Sequence, residues 1–75
     1  MFKVGDKVKF NKLYDGIVVE IAQWDEQNRR WKLSTGEHSV FGPYIIHIPE
    51  RNLIIGAMES EIQTLQEGTA SSTLD

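Results

Sequence analysis

His38 and His47 are the side chains of this 75-residue chain best suited to acid–base or metal chemistry, since a neutral imidazole takes up a proton or a metal ion near neutral pH. Neither has the company such chemistry needs. The chain has no Cys, and neither His stands at i+2 or i+4 from another strong ligand, so no metal site and no cofactor are expected. A general base also needs an oriented partner, and His47, between Ile46 and Ile48, reads as a strand residue turned to solvent. Ser and Thr crowd the C-terminal end, where nothing would orient them against a base. Gly5, Gly16, Gly36 and Gly42 stand singly and build no phosphate-cradling loop. These residue types predict binding rather than turnover.

Two sets of side chains carry the binding chemistry. Tyr14, Trp24, Phe41 and Tyr44 fall near strand ends or loops, where aromatic rings stack on bases, prolines or cations. Trp31 shares a face with Leu33 and is expected in the core; Trp24, at the mouth of a hairpin, and Tyr14, beside a turn, are the expected contacts. Lys7, Lys9, Arg29, Arg30 and Lys32 lie on the outward faces of the first and third predicted strands. If those faces adjoin, they form a basic strip for phosphates or an acidic protein; otherwise they are a solvated face that protects strand edges.

Charge is unevenly spread. All eight Lys and Arg lie between Lys3 and Arg51, against seven acids in the same span, and the remaining four acids bring the net charge to −3. A near-neutral body with an acidic end and a pI near 5.3 is unlike a domain dominated by phosphate contacts, whose pI usually exceeds about 9.

The elements that must position these residues are short. Val8 and Phe10 alternate with Lys7 and Lys9, predicting a first strand over residues 7–12, and Asp15-Gly16 reads as a turn. Residues 17–24 form the strongest strand pattern, with Ile17, Val19 and Ile21 on one face, Val19 taken as core, and Val18, Glu20 and Ala22 on the other. Asp25-Glu26-Gln27-Asn28 turns this strand into residues 29–33 as a hairpin. Gly36 sits at the next tight turn, followed by a short strand over 38–41, an extended apolar run over 44–48, a 3₁₀-like turn over 49–52 and a closing strand over 53–55. Met58, Ile62 and Leu65 fall at i, i+4, i+7 and predict a short amphipathic helix over 57–67, a stripe that docks on the body or on a partner. Residues 68–75 are small and polar and are expected to be disordered.

The fold class expected is therefore all-β: residues 1–56 as a small barrel of five to six antiparallel strands, closed to hide its edges, followed by the helix and the tail. No apolar run approaches the ~20 residues that span a bilayer, and the first residues do not resemble a signal peptide, so a cytoplasmic protein without membrane contact is expected.

Val4-Gly5-Asp6-Lys7-Val8, Asp15-Gly16-Ile17-Val18-Val19-Glu20-Ile21, Trp31-Lys32-Leu33 and Ile48-Pro49-Glu50-Arg51-Asn52-Leu53-Ile54 together resemble SH3-like barrels of the KOW and Tudor type. The resemblance spans roughly residues 2–55. It implies a barrel that binds nucleic acid, transcription or ribosome partners, methylated side chains or proline-rich peptides. Type II dihydrofolate reductases are more distantly similar, but their Val-Gln-Ile-Tyr-Pro run corresponds here to Ile45-Ile46-His47-Ile48-Pro49, in which isoleucine replaces both Gln and Tyr. Three functions follow as expectations. The first is an accessory or regulatory module that engages a protein through an aromatic cleft at the barrel rim. The second is KOW-like nucleic-acid binding through the basic strip, and the third a homo-oligomer with a small-molecule or catalytic site between barrels.

Overall fold

Period-two alternation at Lys7-Val8-Lys9-Phe10 sends one row of side chains inward and one to water. In the computed structural model, which describes residues 2–65, this segment is β1 (Lys7–Phe10). Asn11 and Lys12 take left-handed φ angles of 52° and 61°, turning the chain into β2 (Tyr14–Ile21). The two strands pair antiparallel, Val8 opposite Gly16 and Phe10 opposite Tyr14. Asp15 and Gly16, expected as a turn, thus lie inside β2. Gly16 is there for close approach: a Cβ at this position would stand 2.6 Å from Ile46 Cγ2 and 2.9 Å from the His47 carbonyl oxygen.

The remaining elements are β3 (Gln23–Asp25), β4 (Arg30–Lys32), β5 (His38–Ser39), β6 (Tyr44–Ile48), a 3₁₀ turn (Pro49–Arg51), β7 (Leu53–Ala57), a second 3₁₀ turn (Glu59–Glu61) and β8 (Ile62–Thr64). They form two antiparallel sheets, one ordered β7-β6-β2-β1-β8 and one ordered β3-β4-β5. The class is all-β, as expected, but the strands number eight among the described residues. The five-stranded sheet is open, with β7 and β8 at its edges, so the pairing does not make the closed cylinder anticipated from the strand pattern. No helix among the described residues is long and apolar enough to cross a membrane.

The core draws on the five-stranded sheet. Val8, Val18, Tyr44, Ile46, Ile48, Ala57 and Ile62 are buried together, and Phe2, Phe10, Tyr14 and Ile55 pack against them. On β2 the inward face is the opposite of the one expected. Val18 is fully buried, whereas Ile17, Val19 and Ile21 are each about two-fifths exposed. The cause is pairing: Val18 stands opposite Ile46, whose side chain also presses on Gly16, so the face bearing Gly16 and Val18 turns inward.

The helix expected from Met58, Ile62 and Leu65 is corrected by the fold. Ala57 ends β7, Glu59–Glu61 makes one 3₁₀ turn, and β8 pairs antiparallel with β1, Phe10 opposite Ile62 and Val8 opposite Thr64. The Glu61 carboxylate accepts the Met58 N–H at 2.8 Å, closing the turn. Three helical turns are marginal alone in water, while the free edge of β1 offers a ladder that Leu65 extends by donating to the Lys7 carbonyl at 3.0 Å. Ile62 is buried, Met58 is 45% exposed and Leu65 is half-buried, so the three side chains form no common stripe. The expected tail over 68–75 lies outside the described residues.

Candidate functional site

β2 does not run straight into the hairpin. Its register against β6 shifts between Val18 and Glu20, and at Ala22 the N–H donates to the Pro43 carbonyl at 2.7 Å before the chain enters the second sheet as β3. β3 and β4 form the predicted hairpin, with Trp24 opposite Trp31 and Asp25 opposite Arg30. β5 then adds to β4, Trp31 opposite Ser39 and Lys32 opposite His38. Gly36 turns β4 into β5 at φ 95°, as its position in the sequence predicts.

Asp25 organises the hairpin loop. Its carboxylate accepts hydrogen bonds from the Asn28 side chain at 2.8 Å and from the N–H groups of Gln27 and Asn28 at 3.1 and 3.3 Å. Arg29 closes the loop in a left-handed conformation, φ 55°, donating its N–H to the Asp25 carbonyl at 2.7 Å. His38 Nε2 lies 3.3 Å from Asp25 Oδ2, a link from β5 to β3 that crosses β4. The Asn28 side chain foremost, then the Asn28 N–H, with His38 and Gln27 behind, lowers the Asp25 pKa from 3.8 to about 2, against the opposing effect of burial.

The hairpin presents one large aromatic ring. Trp24 meets Trp31 edge-to-face, ring centroids 4.8 Å apart, and its Nε1 donates to Glu26 Oε1 at 2.8 Å. Held from both sides, Trp24 still leaves 48% of its surface in water. Beside it opens a cleft of about 740 Å³ walled by Glu20, Ile21, Gln23, Lys32 and Leu33. The Glu20 carboxylate accepts the Ser34 N–H and ties the end of β4 back to β2. Where β5 leaves the sheet, Val40 and Phe41 are 64% and 71% exposed. A ring fixed in place and left wet can contact a partner at little further cost in side-chain entropy.

The other predicted site residues go elsewhere. Tyr44 is in the core, edge-to-face on Phe2 at 5.7 Å. Tyr14 is half-buried at the start of β2, with Arg51 Cζ 5.3 Å above its ring. The four aromatic residues expected to share a rim are therefore divided between two sheets and a loop. Trp31, expected in the core, is half-buried on the second sheet as the partner of Trp24. The basic residues are divided too: Lys7 and Lys9 on β1, with Lys9 ion-paired to Asp15 at 2.9 Å, and Arg29, Arg30 and Lys32 exposed on the hairpin. β1 borders β2 and β8, whereas β4 borders β3 and β5, so the two groups do not lie on adjoining strands.

Sequence reasoning missed Val40, Glu26 as the clamp on Trp24, and the pairing of the two tryptophans. The last had a signal: Trp24 and Trp31 flank the turn-prone Asp25-Glu26-Gln27-Asn28 run at a spacing that a hairpin brings face to face. His47 is half-buried on β6, opposite Ile17 and Ile54. Among the described residues no group of three or more His, Asp or Glu is arranged to hold a metal ion. No protein-family model matches the chain, and no curated protein or solved structure matches it.

Proposed function

We propose that this chain is a non-catalytic binding module that engages a protein partner through the β3-β4-β5 sheet, with Trp24 as the central contact and Phe41 as a second apolar one. The observation that carries the reading is Trp24 itself, clamped by Trp31 and Glu26 yet half in water. Rigid, exposed tryptophan is the side chain most enriched at energetic centres of interfaces. A protein partner is favoured over nucleic acid because the cations are split between sheets, Lys9 is already neutralised by Asp15, and the net charge is −3. The SH3-like barrel belongs to the same proposal. Its support is the strand that bends from one sheet into the other at Ala22, the device by which small barrels turn corners, and the 3₁₀ turn ahead of β7.

Affinity capture from the native host, compared between the wild-type chain, Trp24→Ala and Phe41→Ala at low and moderate salt, tests the reading. A protein retained by the wild type, lost on both variants and little affected by salt is the expected result. Nuclease-sensitive binding that falls steeply with salt, and that both variants keep, would replace this reading with contact through Arg29, Arg30 and Lys32.

A further inference from the structure

Edge strands leave backbone N–H and C=O groups open, and proteins blunt them with charge, brevity or cover. Among the described residues the two sheets have four edges: β7, β8, β3 and β5. β8 is three residues long with exposed Gln63 and Thr64; β3 is three residues ending on Asp25; β5 has two residues and begins at His38. β7 is unlike them. It is the five-residue run Leu-Ile-Ile-Gly-Ala, without charge or proline, and Leu53 and Ile54 are 47% and 67% exposed. Among the described residues no strand pairs with its outer side, and the chain packs closely at its far end, where a Cβ at Gly56 would meet Ser39 Oγ and one at Gly42 would meet the Ala57 backbone.

Ile54 is also the outer end of a row in which two isoleucines alternate with His47 and Lys7. The register sets Ile54 beside His47, His47 beside Ile17 and Ile17 beside Lys7 on the outward face of the five-stranded sheet. Ile17 and Ile54 are both exposed there.

We propose that β7 pairs antiparallel with β7 of a second copy of this chain, joining two five-stranded sheets into one across a two-fold axis. A two-fold contact needs a surface that complements itself, and a neutral strand with apolar side chains does so without opposing like charges. Flanking charge selects the antiparallel sense. Glu50 and Arg51 precede β7 and cancel, whereas Glu59 and Glu61 follow it, so an antiparallel match brings the acidic flank of each copy to the balanced flank of the other. A parallel match would set the two acidic flanks side by side. The contact also brings the two Ile54 side chains together and covers both rows of open backbone groups at once. A pairing confined to residues 53–55 is smaller than a standard interface of about 1,600 Å², so the dimer is weak and dissociates on dilution.

Sedimentation equilibrium of the full chain over a range from low to high micromolar concentration is the test, alongside amide hydrogen exchange at residues 53–55. Wild-type chain should pass from monomer to dimer as concentration rises, with protection of residues 53–55 rising in step. Ile54→Lys, at a largely exposed position, sets two lysines close to the axis and should weaken the dimer at least tenfold, while Gln63→Lys on the β8 edge should leave it unchanged. A chain that stays monomeric throughout, with concentration-independent exchange at 53–55, overturns the proposal. So does a dimer that Gln63→Lys removes and Ile54→Lys keeps, or protection of β7 that needs an added extended peptide from another protein.

Discussion

Shortening Val18 and Val19 to alanine, one at a time, reads out which face of β2 the core occupies. Val18 is 0% exposed and stands opposite Ile46, which is likewise fully buried; Val19 is 43% exposed, at the point where the β2 register shifts. Each replacement removes two methyl groups. At about 0.8 kcal/mol per buried carbon, Val18→Ala loses about 1.6 kcal/mol of transfer free energy, and the cavity left among fixed neighbours raises this to about 2–3 kcal/mol. Val19 is little more than half-covered and water fills the space it vacates, so Val19→Ala costs about 0.5–1 kcal/mol. A domain of this length holds about 4–11 kcal/mol in all. Val18→Ala should therefore lower Tm by roughly 10–20 °C and Val19→Ala by roughly 2–8 °C. Urea unfolding followed by tryptophan fluorescence is the assay, with the midpoint shifting at constant m. Equal costs, or the larger cost at Val19, would refute the argument. That result would mean that β2 is displaced by one residue against β1 and β6, which turns every side chain over and buries Ile17, Val19 and Ile21.

Acid reaches the hairpin loop through Asp25. Because the Asp25 carboxyl titrates lower in the folded chain, near 2, than its ordinary 3.8, its contribution is complete above that ordinary value and is lost as pH falls from there toward 2. The amide signals of Gln27 and Asn28, followed by NMR in the folded chain, should titrate with a midpoint near pH 2 and Asp25→Asn should abolish the movement; amides indifferent to pH there would contradict the hydrogen bonding described. Gly16→Ala forces a methyl to within 2.6 Å of Ile46 Cγ2 and should cost about 1–3 kcal/mol in the same urea assay, whereas a change below about 0.5 kcal/mol would contradict the close approach of β2 and β6.

Alternation of polar and apolar residues was enough to locate β1 and β4, and a short apolar run to locate β6, because both are properties of single strands. The 3₁₀ turn at Pro49–Arg51 and the turn at Gly36 were legible for a similar reason, since Pro, Asn52 and Gly36 act on their own backbone. What escaped depends on which strand lies beside which. β2 has apolar residues on both faces, and only the approach of Ile46 to Gly16 decides between them. Met58, Ile62 and Leu65 have helical spacing, but the open edge of β1 draws residues 62–64 into a ladder. The site divides along the same line. Trp24 at a hairpin mouth was readable as exposed, while Tyr44, equally close to a strand end, faces Phe2 in the core because β6 lies between β2 and β7. Whether Lys7 and Lys9 adjoin Arg30 and Lys32 is likewise a question of sheet membership, on which local patterning is silent.

That membership also separates stability from contact. None of the residues buried in the main core belongs to β3, β4 or β5. A three-stranded sheet of so few residues, lacking a core of its own, needs other support. It has the Asp25 loop, the His38 link across β4, the Glu20 hold on Ser34, the Ala22 bond to Pro43 and the Trp24–Trp31 pair. An edge-to-face pair of this kind is worth about 0.5–1.5 kcal/mol beyond the area it buries. Trp24 thus serves the arm twice, as part of what orders it and as the ring it offers, so Trp24→Ala alone would not tell lost contact from a loosened hairpin. Phe41 separates the two effects. It is 71% exposed and lies outside the paired strands, so loss of binding on Phe41→Ala with the Trp24–Trp31 pair intact locates the defect at the contact surface.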